Sequence, residues 1–335
     1  MKKSIFSLGL IACLASGGIL LISWGTWGHQ HINHAAVFAL PDSMRRFYYN
    51  HIDFITEESV IPDVRKYTIN DKAEFPRHYI NMETYQSSGG TDSIPLTIKG
   101  ASVKYDAKLL DKGGILPWYM IDLMQKLTKA FQDKKKAEIL FISADLAHYL
   151  GDANMPLHTA LNHDGQLTNQ NGIHAFFESQ LPEQFGSSYN FYTGNAVYVK
   201  DVQSEVWRIV GRSHKLADTL LMIEKKLKSG FDTSKIYLKD AAGNIVKNKY
   251  NSPVHSYEYA KAFHDALNGM VEKQLRASVT ATANFWYTAW INAGSPNLDQ
   301  LDEPELTERN SKYYKKDYKT WKKGQLFGFK IDKEF

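Results

Sequence analysis

Apolar residues recur at helical spacing along most of this chain. Residues 29–40 and 43–55 form two compact amphipathic stretches separated by Pro41 and Asp42, with Asp42 placed to cap the second. Residues 118–131 follow Pro117 with the same periodicity, and residues 136–150 repeat it in a run of good helix formers. Residues 202–227 read as one long helix. Residues 257–293 read as another, closed by Gly294-Ser295-Pro296. Strand signals are few and short, as at residues 196–199. Residues 86–102, with Gly89-Gly90 and Pro95, and residues 162–172, rich in Asn, Gln and Gly, predict long loops. The Lys- and Tyr-rich tail from residue 298 to 335 is less periodic and predicts a loosely packed C-terminal extension. The pattern as a whole predicts an all-α fold: a single multi-helix domain with long loops over residues 24–297, followed by that extension.

The first 23 residues follow a different rule. Lys2 and Lys3 precede an uncharged, mostly apolar run over residues 5–22, and Ser23 is a small residue at its end. This predicts a signal peptide over residues 1–23 and an exported protein, periplasmic or extracellular. The run is also long enough for a membrane anchor, the rival reading. Leu10-Ile11-Ala12-Cys13 resembles a lipoprotein cleavage box, but the run stays apolar past Cys13, where such a protein turns polar.

Composition narrows the chemistry. Hydrophobic residues at 43% and charged residues at 23% are those of a globular protein, which excludes a disordered chain or a fibre. The net charge of +4 neither argues for nucleic acid by itself nor repels phosphate. Cys13 is the single cysteine and lies in the leader, so the mature chain has no disulfide, thiolate ligand or thiol nucleophile. Any metal site must use His, Asp, Glu and backbone atoms.

The densest candidate is His148-Tyr-Leu-Gly-Asp152-Ala-Asn-Met-Pro-Leu-His158. His148 and Asp152 share a helix face, Pro156 ends or bends that helix, and His158 follows. Sixteen residues on come His174 and Glu178, again four apart. One such pair proves little, since chance gives about one in a chain of this composition and this one has three. The third, His214 and Asp218, lies beside Lys215 on the long helix and reads as an exposed helical pair or a solvated face. The signal lies in the set. Asp63 and His78 stand 15 apart, each after a Pro-containing turn, and the segment after the leader opens Trp24-Gly-Thr-Trp-Gly-His29.

In this order the motifs resemble the superfamily of bacterial zinc-dependent phospholipase C and the fungal and plant single-strand-specific nucleases. The likeness runs from Trp24 to about Ala293. It implies three Zn2+ ions: one on Asp63, His78, His148 and Asp152, a second on His158, His174 and Glu178, and a third on His29, Asp152 and the amine and carbonyl of Trp24. A free amine at Trp24 requires the leader to be cut just before it. A His-rich donor set without sulfur suits zinc on chemical grounds as well. Zinc lowers the pKa of bound water from about 15.7 towards 7, which makes hydroxide available for attack on phosphorus. Lys66 is a candidate to neutralise a phosphate oxygen, with a solvated lysine beside Arg65 as the alternative. Glu83 is a candidate carboxylate base, with a surface acid as the alternative. Tyr79 is placed to stack on a base or line a lipid pocket, against plain core packing. His31, His34, His51, His163, His255 and His264 match no ligand position of the superfamily.

The branch is less sharply marked. Glu178 as the last acid follows the phospholipases, whereas the spacings to His29 and His78 follow the nucleases. Asn81 stands where nucleases tend to carry an Asp that reads the base edge. The sequence leans to a phospholipase C-like phosphodiesterase with possible membrane-surface contact. A nuclease acting on single-stranded nucleic acid is the first alternative, and a non-catalytic zinc-stabilised surface protein the second. The substrate is a phosphodiester in either enzyme reading, phospholipid or nucleic acid, and no protein partner is implied.

Overall fold

The computed structural model describes residues 25–88, 94–248, 252–301 and 308–331. Among them there is no strand, only three isolated antiparallel bridges between residues 237 and 255. The fold is all-α. Four helices, α1 (Gly25–Ala39), α2 (Asp42–Asn50), α3 (Ile52–Glu58) and α4 (Ile61–Tyr67), lead to a 3₁₀ turn at Phe75–His78. Short helices α5 (Met82–Ser88), α6 (Ile98–Lys104) and α7 (Ala107–Gly113) precede the hairpin of α8 (Leu116–Gln132) and α9 (Lys136–Asn154). A 3₁₀ turn at Pro156–Thr159 and a coil then reach α10 (Ile173–Ala175), a π-helical turn at Phe176–Gln180 and α11 (Leu181–Phe185). The long α12 (Val202–Gly230), α13 (Tyr257–Ala266), α14 (Met270–Asn292) and α15 (Glu308–Trp321) complete the chain.

Local chemistry sets most boundaries. Pro117 occupies the first turn of α8, where a missing N–H costs nothing. The Asp201 carboxylate caps α12 by accepting from the Ser204 N–H, and the Ser256 hydroxyl caps α13 by accepting from the Tyr259 N–H. Asp42 is not a cap: it lies inside the first turn of α2, behind Pro41, and pairs with Arg45 instead. Residues 86–102 are not one loop, because Thr97 caps α6 by accepting from Gly100. The stretch 257–293 is two helices. Asn268 (φ +48°) and Gly269 (φ +75°) both turn left-handed between α13 and α14, a conformation that favours Asn and Gly.

The core lies between α1, α8, α9 and α14. Trp286 of α14 stacks on Tyr48 of α2 with centroids 4.7 Å apart, and its indole N–H donates to the Ser143 carbonyl of α9. Residues 196–199 form no sheet. They lie extended along α14, where the Val197 and Val199 N–H groups donate to Asn284 and Thr288 side chains. The tail is not loosely packed either. Trp321, Leu326 and Phe329 are buried, and Phe329 stacks on His34 of α1. The C-terminal segment thus braces the helix that carries His29.

Candidate metal centre

Six segments converge on one buried cluster. α1 brings His29, α4 brings Asp63, the 3₁₀ turn at Phe75–His78 brings His78, and α9 brings His148 and Asp152 on one face. Pro156 ends α9 and folds the chain into the turn that returns His158. His174 and Glu178 lie on α10 and the π-helical turn, a distortion common at functional sites. Gly151 matters because a Cβ there would lie 3.0 Å from Cε1 of His29. It lets α1 approach α9 beside Asp152.

The polar atoms face inward in three groups with donor atoms close enough to share a metal ion: His29, His148 and Asp152; Asp63, His78 and His148; His158, His174 and Glu178. Asp152 joins them. Its Oδ2 lies 3.0 Å from Nδ1 of His78 and 3.4 Å from Nε2 of His148, and its Oδ1 lies 3.6 Å from Nε2 of His29. Asp63 lies 3.6 Å from His78 and 3.8 Å from His148. In the remaining group, Nε2 of His174 is 3.1 Å from Nε2 of His158 and 3.2 Å from Glu178.

Backbone carbonyls fix three of the rings. The Nδ1–H of His148 donates to Ser59 O at 2.8 Å, that of His158 to His78 O at 2.7 Å, and that of His174 to His163 O at 2.9 Å. Each bond leaves the Nε2 lone pair facing the cluster, as metal ligation requires.

The electrostatics are strained. Burial drives the Asp63 carboxyl up to about 8, against the pull of His148 and Lys66. Burial also opposes ionisation of Asp152, but the charges of His148 and His158 outweigh it and hold that carboxyl well below its usual range. Burial lowers His78 to about 4 and His29 well below an ordinary imidazole. Both ring nitrogens of His29 and both oxygens of Asp63 are buried without a hydrogen-bond partner. Such atoms cost about 1–3 kcal/mol each when nothing answers them. Imidazole and carboxylate donors that protein groups leave unanswered fit a borderline divalent ion such as zinc.

An all-α frame holding a sulfur-free, multi-group His/carboxylate cluster defines a metal-dependent hydrolase site. The family model for S1/P1 Nuclease matches residues 24–276, and the chain belongs to that family, one of the phospholipase C/nuclease zinc superfamily. It is accordingly a zinc-dependent hydrolase of phosphodiesters. No curated protein matches the chain. The match supports the nuclease branch; the expected lean to phospholipase C, and with it membrane-surface contact, gains no support.

Of the nine residues expected to bind metal, eight meet in the cluster; Trp24 lies outside the described residues, as does the leader. Lys66 is buried, not solvated, and its ammonium lies 4.7 Å from the centroid of the Tyr67 ring. Glu83 stands apart from the three groups, and its carboxylate accepts from the Leu161 N–H at 2.9 Å, just beyond the turn of His158. Tyr79 is half-buried, its hydroxyl donating to the Asp111 carbonyl. The buried Asn81 side chain reaches the Lys112 carbonyl at 3.4 Å. His214 does not pair with Asp218 as expected; its Nδ1–H donates to Thr159 O at 3.0 Å, one residue after His158. Neither His255, stacked on Phe176, nor His264, against the Tyr189 hydroxyl, belongs to a metal group.

Sequence reasoning missed Glu74. This fully buried carboxylate accepts from Arg65, Arg77 and the Tyr149 hydroxyl behind His78. Burial opposes its charge, but His78, Tyr149 and Arg65 outweigh that and hold it ionised. The signal was an acid four residues before a histidine, the reverse of the order searched.

Proposed function

We propose that this chain is an exported nuclease that hydrolyses single-stranded nucleic acid with three zinc ions. The observation that carries the reading is that His148 belongs to two donor groups while Asp152 also lies 3.0 Å from His78 and 3.5 Å from His158, a linked cluster that would hold several ions close together. The first ion is assigned to Asp63, His78, His148 and Asp152, and the second to His158, His174 and Glu178. The third is assigned to His29, Asp152 and the amine and carbonyl of Trp24, freed when residues 1–23 are removed. Zinc supplies hydroxide at neutral pH and draws charge off the phosphate oxygens.

The residues around the cluster divide the remaining work. Lys66, kept protonated by Tyr67 and Asp63 against the cost of burial, would neutralise a phosphate oxygen. Glu83 fixes the loop beyond His158. Family membership favours nucleic acid over phospholipid, and Glu178 is the one position that follows the phospholipases.

The test uses the protein cleaved before Trp24, with zinc measured by elemental analysis. Single-stranded DNA, phosphatidylcholine and bis-p-nitrophenyl phosphate are then assayed side by side. Turnover of DNA with about three zinc ions per chain is the expected result. Turnover of phosphatidylcholine alone restores the phospholipase reading, and a full zinc complement with no turnover of any substrate sinks the enzyme reading.

A further inference from the structure

His78 is oriented differently from the other rings. His148, His158 and His174 each donate Nδ1–H to a backbone carbonyl and aim Nε2 at the cluster. His78 aims Nδ1 at Asp63 and Asp152, at 3.6 and 3.0 Å, and turns Nε2 away. What lies behind Nε2 is the Glu74 carboxylate, 3.5 Å from it. Of these four rings, His78 is the one whose outward nitrogen faces an acid with no backbone carbonyl to receive it.

Glu74 reaches every segment that feeds the Asp63, His78 and His148 group. Its Oε2 accepts from Arg65 Nε at 3.0 Å, and Arg65 is two residues after Asp63 on α4. The same oxygen accepts from Arg77 Nη1 at 3.0 Å, next to His78. Its Oε1 accepts from the hydroxyl of Tyr149, next to His148 on α9. Arg65 also donates to Asp145 of α9 at 2.8 Å, closing the loop between α4 and α9.

From this geometry we infer that Glu74 is a positioning residue for metal binding. Its carboxylate stands 3.5 Å behind Nε2 of His78, an ion-pair contact short of a hydrogen bond, which would tighten to fix the ring with Nδ1 as the ligand atom, and it ties the three ligand-bearing segments into one frame. The inference rests on a metal ion binding at this group, as proposed above. A carboxylate behind a ligating imidazole fixes its tautomer and makes it a stronger donor, and loss of such a partner typically costs about 10–100-fold in metal affinity. The neutral amide of Glu74→Gln keeps shape and one acceptor while removing the charge. Its amide can also present an N–H toward Nε2, which favours the wrong tautomer.

The experiment measures zinc affinity by chelator competition in wild type and E74Q, with apo-protein circular dichroism and Tm as the check on folding. The expected result is a folded variant in which one class of zinc binds about 10–100-fold more weakly while the His158, His174 and Glu178 class is unchanged. A folded E74Q that binds all its zinc as wild type does overturns the inference. Failure of wild type itself to bind zinc overturns the proposed function instead.

Should E74Q fail to fold, 15N NMR of histidine-labelled, zinc-loaded wild type decides the matter. The expected pattern is an Nε2–H tautomer for His78 and Nδ1–H tautomers for His148, His158 and His174. An Nδ1–H tautomer at His78 overturns the inference.

Discussion

The two ends of the cluster are built on different terms. At the inner end Asp63, His78, His148 and Asp152 are all fully buried. At the outer end the His174 side chain is 23% exposed, beside the coil of residues 162–172. Charge follows the same division. Burial lifts inner Asp63 to about 8, whereas outer Glu178, though burial opposes it, is pulled down to about 2 by His174 and His158. The outer end balances itself with a histidine and an acid in contact. The inner end places two carboxylates out of water: Asp152 is held ionised by His148 and His158, whereas Asp63 is left short of positive charge, which a divalent cation would supply. A metal at the inner end would hold the fold as well as the chemistry, while one at the outer end would touch solvent and exchange more readily.

Paired truncations test this contrast most severely. His148→Ala should cost about 2–5 kcal/mol of stability by opening a hole in a closed region, and at least about 100-fold in activity. His174→Ala, at a partly exposed position, should lose activity with only about 1 kcal/mol of stability. Thermal melts and DNA hydrolysis on both variants check this, and equal melts would erase the inner–outer distinction.

Removing the metal sharpens the comparison at intermediate scale. In the metal-free protein the Asp63 carboxyl sits at about 8, and His148 and His174, raised by neighbouring acids against the cost of burial, at about 9. All three hold a proton more tightly folded than unfolded. Their contribution to stability is whole below the unfolded values and is lost as pH rises through the folded ones. His78 at about 4 and Glu178 at about 2 contribute fully by neutral pH. Chelated protein should therefore melt progressively lower between about pH 7 and 9, by roughly 1–2 °C per kcal/mol lost, while zinc-loaded protein does not follow.

The smallest expected effect is at Glu83. Because its carboxylate accepts from Leu161 N–H, Glu83→Gln should change kcat less than about 10-fold. A loss of about 100-fold or more, with a shifted pH profile, would return Glu83 to the role of general base.

The residues that meet in the cluster were legible because helix geometry and proline impose their spacing locally. His148 and Asp152 must share a face, and Pro156 must turn the chain before His158. What stayed hidden depends on contacts distant in sequence. Lys66 beside Arg65 looks like a solvated charge, yet Lys66 packs on Tyr67 while Arg65 turns back to Glu74. The tail looked loose because lysines interrupt its apolar stripe, yet Trp321 and Phe329 find partners on α1 and in the coil before α12. The break at Asn268-Gly269 was written in the sequence as a turn dipeptide, and the apolar periodicity on both sides masked it.

The turn of His158 carries one more implication. Its ring donates to the His78 carbonyl, and its own carbonyl accepts from the Ile80 N–H at 2.9 Å. These two bonds clasp the inner and outer ends together at a single point of the backbone. Everything between Ile80 and Pro156 is then an excursion with both ends pinned, and the coil of residues 162–172 hangs outside the clasp. Redesign is then confined to places such as the turn between α8 and α9, because α9 carries His148 and Asp152 and the His163 carbonyl in the coil holds the His174 ring.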